Sequence, residues 1–251
     1  VSETPLFSAI SATPKRLADS VADAIAQLLL DGRIAPGEDL PSEGKIASEF
    51  GVSKPIAREA LRNLSAAGLI ETHPGKLARA KAMDGEPLNR FYGYAVRSSL
   101  LRLREANEMR MVVETGIARL AAQRRGKRGL QMMQAATEDM HKALQNPKKF
   151  TEADVAFHFG MAAATGNEML QMQMEGLRAI QREVSGLFST RASRTAADWL
   201  ATVERHETIQ DTIVAGDEEG TRKAIEAHYA AADIASLEVA DRLGQEDDSD
   251  A

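Results

Sequence analysis

The sequence predicts a mainly α chain: an N-terminal winged helix-turn-helix, then a C-terminal all-α helical bundle of six or seven helices. Three observations carry this expectation. Alanine is abundant while aromatic residues make up only 4% of the 251 residues, which favours packed helices over a large sheet. Between Leu40 and Ile70, two short helical patterns flank Gly51-Val52-Ser53, and each follows a serine suited to an N-cap. Beyond residue 88 the chain becomes a series of long helical patterns, broken at Gly126, Asn146-Pro147, Gly166-Asn167 and Gly216-Asp217.

Residues 1–12 lack a repeating pattern and are expected to form a mobile tail. Thr13-Pro14 reads as the cap and first proline of a helix whose buried stripe is Leu17, Val21, Ile25 and Leu28, ended by Asp31-Gly32. Ser42 is placed to cap a helix bearing Ile46, Ala47 and Phe50, which stops at Gly51. Ser53 then caps a second helix with Pro55 in its first turn, where a missing N–H does no harm. Ile56, Ala60, Leu61 and Leu64 share one face of that helix; Lys54, Arg58 and Arg62 share another. Leu69–Thr72 and Leu77–Ala80 read as short strands around the turn His73-Pro74-Gly75-Lys76. The first domain is therefore 13–81, and the polar stretch 82–88, with Gly85 and Pro87, is a linker. In the second domain, 89–243, helices are expected near 88–103, 105–125, 127–145, 148–165, 167–189, 195–215 and 218–243. The acidic end from Gln245 to Ala251 is expected to be disordered.

Charge and composition exclude several classes. No apolar run approaches the roughly 18 residues needed to span a bilayer. The start of the chain has no secretion-signal pattern, and there are no cysteines, so a cytoplasmic location is expected. The net charge of −6 disfavours nucleic acid only until it is divided along the chain. Within 45–81, Lys45, Lys54, Arg58, Arg62, Lys76, Arg79 and Lys81 oppose Glu49, Glu59 and Glu71, a local excess of four positive charges. Local charge governs phosphate contact, because distant acidic groups are screened.

The two-helix pattern alone fits an ordinary helix pair with a solvated basic face as well as it fits a DNA-binding motif. With the strands behind it, the stretch resembles the winged helix of GntR-type bacterial regulators. The matching pieces are Leu40-Pro41-Ser42-Glu43, Gly51-Val52-Ser53, Arg58-Glu59-Ala60-Leu61 and Gly68-Leu69-Ile70. The resemblance implies binding to a palindromic double-stranded DNA operator, with a second helix in the major groove. Ser42, Lys54, Arg58, Arg62, His73 and Lys76 are the contact candidates. Arg58 is the main base reader, Lys54 assists, and Lys76 and His73 lie on the wing. Gly44 and Lys54 stand where that family commonly has arginine, and lysine lacks the guanidinium fork that reads guanine.

In the second domain Asp154 and His158 are four residues apart, hence on one helix face, and His206 and His228 lie on the last two long helices. One carboxylate and three imidazoles around one cavity would suit zinc, nickel, manganese or iron. Histidines at helical spacing are also commonly hydrogen-bonded core or surface residues. Asp154-Val155-Ala156-Phe157-His158 with Thr165-Gly166-Asn167 resembles the effector-binding (FCD-type) domain of the FadR-like branch of GntR regulators. That resemblance implies a divalent metal ion on Asp154, His158, His206 and His228. It also implies a homodimer, a repressor in the common logic of that family, sensing a small carboxylate such as a sugar acid, hydroxy acid or dicarboxylate.

Arg110 is the candidate clamp for that carboxylate; its alternative is an exposed helix ion pair with Glu114. Trp199, Phe157, Phe159 and Phe188 are expected in the core or a pocket wall, Met169, Met172 and Met174 as gap fillers, and His141 on the surface. Two rival readings stand beside this one. A mononuclear metal enzyme would need a second acidic group as base, which the pattern does not supply. A regulator with a purely structural metal keeps the DNA-binding half unchanged.

Overall fold

The computed structural model describes residues 16–190 and 194–232. The chain divides into two compact units between Pro87 and Leu88.

In the first unit, α1 (Leu17–Leu30), α2 (Glu43–Phe50) and α3 (Lys54–Ala66) precede two short strands, β1 (Ile70–Glu71) and β2 (Arg79–Ala80). The strands pair antiparallel with Ile70 opposite Ala80 and Glu71 opposite Arg79, so the His73–Lys76 turn lies at the tip of a wing. The Ser42 hydroxyl accepts from the Lys45 N–H at 3.3 Å, and Gly51 closes α2 in the left-handed region at φ 66°. That left-handed turn is what aims α3 away from α2. Ser53 has the extended backbone of an N-cap, but its side chain makes no cap hydrogen bond; Pro55 sits in the first turn as expected.

Leu40 is completely buried, surrounded by Val21, Ile25, Ile46, Leu61, Leu64 and Ile70 in one core. The buried stripe of α1 differs from expectation. Leu17 is 60% exposed, and Ala18, Val21, Ala22 and Ile25 face inward instead, a stripe rotated by one residue at its start. Small alanines let α1 approach α3 more closely than a leucine stripe would. Phe50, on the last turn of α2, is also exposed. The expected tail at 1–12 and the Thr13-Pro14 start lie outside the described residues.

After the wing come eight helices among the described residues: α4 (Glu86–Val96), α5 (Leu100–Arg124), α6 (Lys127–Lys142), α7 (Pro147–Ala164), α8 (Glu168–Gly176), α9 (Arg178–Ser189), α10 (Ala196–Ala215) and α11 (Glu218–Ala231). Most starts are written in short polar side chains. Asn146 accepts from Lys149 N–H, Asn167 from Met169 and Leu170, and Asp217 from Gly220, while Thr195 and Asp198 form a reciprocal capping box. The helix expected over 88–103 stops at Val96, because Ser99 in extended backbone caps a new one through the Arg102 N–H at 3.2 Å. The helix expected over 167–189 divides at Leu177. Helix α4 begins inside the expected linker. The predicted continuation of α11 past residue 232, and the acidic end, lie outside the described residues.

Helix α7 is buried nearly all round, and this fixes where chemistry can sit. It packs so tightly on α6 that a Cβ at Gly129 would come within 2.0 Å of the Ala164 backbone. Phe157 and Met161 are fully enclosed. A helix immersed in apolar neighbours carries buried polar groups only where partners meet them, and on α7 those groups include Asp154 and His158.

Candidate metal and effector site, and the DNA-contact helix

Three helices deliver three imidazoles to one point. His158 from α7 and His206 from α10 are completely buried, and His228 from α11 is nearly so. One ring nitrogen of each lies within 4.8 Å of the others. Asp154, one turn before His158, completes the group: its Oδ1 is 2.9 Å from His206 Nε2 and 3.9 Å from His158 Nε2.

On two of the three rings, the outward nitrogen faces an acceptor. His206 Nδ1 is 2.8 Å from the Thr202 carbonyl, which can only accept, so Nδ1 carries the proton. Its Nε2 is then a lone pair facing a carboxylate oxygen, an arrangement that needs a proton or a metal ion between them. His158 repeats the pattern, with Nδ1 against a Glu114 oxygen. Among the described residues, the buried nitrogens His158 Nε2 and His228 Nδ1 find no hydrogen-bond partner, and His206 Nε2 faces only the Asp154 carboxylate. Three lone pairs and a carboxylate turned toward one point fit a divalent cation.

Electrostatics agree. Burial pushes His228 well below the ordinary imidazole value, with the neighbouring His206 and His158 adding to it, so the ring stays neutral and ready to ligate. Burial alone would raise the Asp154 carboxyl, but a hydrogen bond and positive charge at His206, with His158 behind it, hold it well below the usual range.

Arg110 lies beside this cluster. It is 3% exposed and donates from Nε to Glu114 Oε1 at 3.0 Å and from Nη1 to Asn107 Oδ1 at 3.3 Å, with its guanidinium over the Tyr229 ring. The ion pair with Glu114 foreseen from spacing therefore exists, but it is buried, not exposed. A cavity of about 400 Å³ opens against Arg110, Asp154, His228 and Tyr229 and runs along α9 and α10 past Phe188, Thr202 and Arg205. Its volume is that of a small-molecule pocket.

In the first unit, Lys54, Arg58 and Arg62 line the exposed face of α3, as their spacing requires. Arg58 grips Glu43 of α2 through Nε at 3.0 and 3.1 Å and Nη2 at 2.8 Å, a bidentate pair that the sequence reading did not foresee. This pair fixes the guanidinium at the junction of α2 and α3 and raises its pKa. The Lys54 stem passes over Gly44, where a Cβ would sit 3.4 Å from it. His73 and Lys76 are exposed at the wing, with His73 3.8 Å from Glu71. Ser42 is exposed, its hydroxyl already engaged as the α2 cap.

Comparison with known proteins decides the family. Residues 17–78 match "Bacterial regulatory proteins, gntR family", and residues 105–231, half of the chain, match "FCD domain". The chain belongs to the GntR family and carries an FCD domain. It is similar to the HTH-type transcriptional regulator LutR of Bacillus subtilis, at 29% identity over 80% of this chain and 92% of LutR. It is also similar to the galactonate operon transcriptional repressor of Escherichia coli, at 27% identity over 82% of this chain and 90% of that protein. A solved structure, Streptococcus agalactiae GntR, shares the fold with a TM-score of 0.64 at 22% identity, over 85% of this chain and 98% of that one. The chain is thus a DNA-binding transcriptional regulator of the GntR/FCD type and not an enzyme.

Within this family frame, the structure brings Asp154, His158, His206, His228 and Arg110 near one another in the FCD domain. Sequence reasoning undervalued Glu114, which it treated only as an alternative partner of Arg110. Its position four residues after Arg110 on the same helix face was visible; its contact with His158 was not. Thr202, four residues before His206, was also missed. His141 pairs with Glu207 at 2.9 Å on the surface, and Phe157 and Trp199 are buried in the core. Phe188 lines the cavity, but Met169 is 69% exposed and fills no gap. Among the described residues, no helix is long and apolar enough to cross a membrane.

Proposed function

We propose that this GntR-family regulator senses a small organic acid through a divalent metal held by Asp154, His158, His206 and His228. The observation that carries the reading is the set of three buried ring nitrogens within 4.8 Å of one another, with the opposite nitrogens of His158 and His206 held against Glu114 and Thr202. The bound metal would act as a Lewis acid toward an effector carboxylate or hydroxyl. Arg110 lies on the wall of the adjoining cavity, where a guanidinium fork suits a carboxylate. Asp154 and His228 border the same cavity, so one ligand would reach both the cation and the fork. The relative named for the galactonate operon supports a hydroxylated acid as the class.

In the DNA-binding half, Arg58 reads bases while Lys54, Arg62 and Lys76 contact the backbone, with Ser42 and His73 at the margins. Two chains acting as a homodimer would place two α3 helices on the half-sites of a palindrome, one DNA turn apart. Effector binding biases the two DNA-binding heads between states of different affinity. Repression relieved by the acid is the reading adopted, supported by the galactonate relative's name as a repressor.

The test is fluorescence anisotropy of the protein on DNA from upstream of its own gene and its neighbours, across a salt series, with random DNA and Arg58→Ala as controls. Binding at least about a thousandfold tighter than to random DNA, weakened by Arg58→Ala, is the expected result. Equal affinity for both DNAs in the metal-loaded and metal-free states would refute it.

A further inference from the structure

Helix α9 forms one wall of the cavity through Val184, Ser185, Phe188 and Ser189. Its inner face is apolar, with Ile180, Val184 and Leu187 in one cluster with Met109 and Val113 of α5. A polar side chain interrupts that face. Gln181 is 1% exposed, and among the described residues neither its Nε2 nor its Oε1 has a hydrogen-bond partner. Val184 and Ser185 follow it by three and four residues, so Gln181 shares their face of the helix, one turn deeper.

The packing of α9 on α7 gives that depth. Arg182 reaches Glu152 at 2.9 Å and Ser185 reaches Thr151 at 3.4 Å, so the two helices run antiparallel. One turn back along α9 from Ser185 is therefore one turn on along α7 from Thr151, which brings Gln181 level with Asp154 and Val155. Asp154 belongs both to the imidazole cluster and to the cavity. The amide thus lies at the depth of the residues assigned to the metal.

The neighbours of Gln181 on α9 are matched to α7: Glu152 takes Arg182 through both oxygens, and Ser185 meets Thr151. An unpaired amide among apolar side chains costs stability, and an apolar side chain of the same shape would remove that cost. Gln181 offers a ligand one acceptor and two donors side by side. A carboxylate only accepts and would leave Oε1 unpaired. Hydroxyls serve both ends, one donating to Oε1 and its neighbour accepting from Nε2.

We propose that Gln181 is a specificity residue that hydrogen-bonds the hydroxyls of the bound acid, while the metal and Arg110 take its carboxylate. The acid sensed is then a hydroxylated one, selected against its deoxy analogues. The proposal rests on the acid-sensing reading above and assigns the part of the ligand that the metal and Arg110 do not.

The test pairs wild-type protein with Gln181→Met, which keeps an unbranched side chain of similar length and removes both polar atoms. The metal-loaded full chains are titrated by calorimetry with D-galactonate, D-glycerate, L-lactate and propionate. Thermal midpoints are measured without any acid. At least one hydroxylated acid should bind wild type more tightly than propionate. Gln181→Met should weaken that acid about tenfold or more and leave propionate within about twofold. The ligand-free midpoint should rise, because the unpaired amide is gone; a residue with a purely structural role would lower it. Equal weakening of all acids, unchanged affinity for the hydroxylated acid, or a lower ligand-free midpoint overturns the role of Gln181 and leaves acid sensing standing. Propionate binding wild type as tightly as every hydroxylated acid does the same. Failure of all four acids to bind wild type overturns both.

Discussion

Arg110 and His158 are joined through a single buried carboxylate. Glu114 takes the Arg110 Nε–H on one oxygen and meets His158 Nδ1 with the other, and all three side chains are almost completely enclosed. The carboxylate clamp and the imidazole cluster are therefore not independent. Burial alone would raise the Glu114 carboxyl, but His158 and Arg110 outweigh it and hold the pKa at about 2. It remains a carboxylate, orients the His158 ring and neutralises Arg110 at once.

Glu114→Gln should therefore damage two sites together. Metal affinity should fall by about 10- to 100-fold, the usual cost of losing an outer partner of a ligating histidine. The fold should lose about 3–5 kcal/mol because Arg110 is left as an unpaired buried charge. Metal titration by calorimetry and chemical unfolding measure the two effects. Unchanged metal affinity would detach Glu114 from the cluster.

His228 and Glu114 are among the groups whose depressed pKa values make the stability of the metal-free protein depend on pH. His228 lies well below its ordinary value of 6.5 in the fold, so below that pH the unfolded chain binds a proton that the native state refuses. Stability contributed by this group is complete above pH 6.5 and is lost as the pH falls. Glu114 acts in the same direction lower down, between its ordinary 4.5 and about 2. Urea midpoints measured from pH 8 to pH 3 should fall in two stages, the first beginning near 6.5. His228→Asn should remove that first stage.

Gly129→Ala probes the frame that carries the site. The new methyl would meet the Ala164 backbone at 2.0 Å, and no side-chain rotation relieves a clash with main chain. Forcing α6 from α7 should cost about 1–3 kcal/mol or more and weaken metal binding through the displaced Asp154 and His158. Gly116→Ala, where an added Cβ meets nothing within 4 Å, is the matched control and should be neutral or slightly stabilising.

Arg58→Ala should abolish preference for the operator over random DNA while leaving the thermal midpoint unchanged, since the Glu43 pair it breaks is solvent-exposed. Glu43→Gln separates holding from reading: it frees the guanidinium but keeps it, so affinity for random DNA should rise while specificity falls. Anisotropy on the two DNAs reads both effects.

Much of this architecture was written locally. Ser42, Gly51 and Pro55 define the turn between α2 and α3, and Asn146, Asn167 and Asp217 mark helix starts through hydrogen bonds to their own next turn. Such signals span three or four residues and survive any tertiary context. The breaks at Ser99 and Leu177 were missed because apolar periodicity continues across them. Leu17 was misplaced because periodicity gives a stripe's spacing before it gives its phase. The Asp154–His158 pair was readable as i and i+4 on one helix and His206 and His228 as histidines of the last two long helices, while resemblance implied that the four act together. No spacing rule joins Arg58 to Glu43, fifteen residues away; that contact depends on how elements pack.

The central claim is that acid sensing passes through a metal held by the histidine cluster. Its most direct test is anisotropy on operator DNA with a hydroxy-acid effector, comparing metal-loaded, chelated and Asp154→Ala protein. The account predicts that the acid releases DNA from the loaded protein and has no effect on the other two, while all three bind operator when no acid is present. Equal release from the chelated protein and from Asp154→Ala would contradict it.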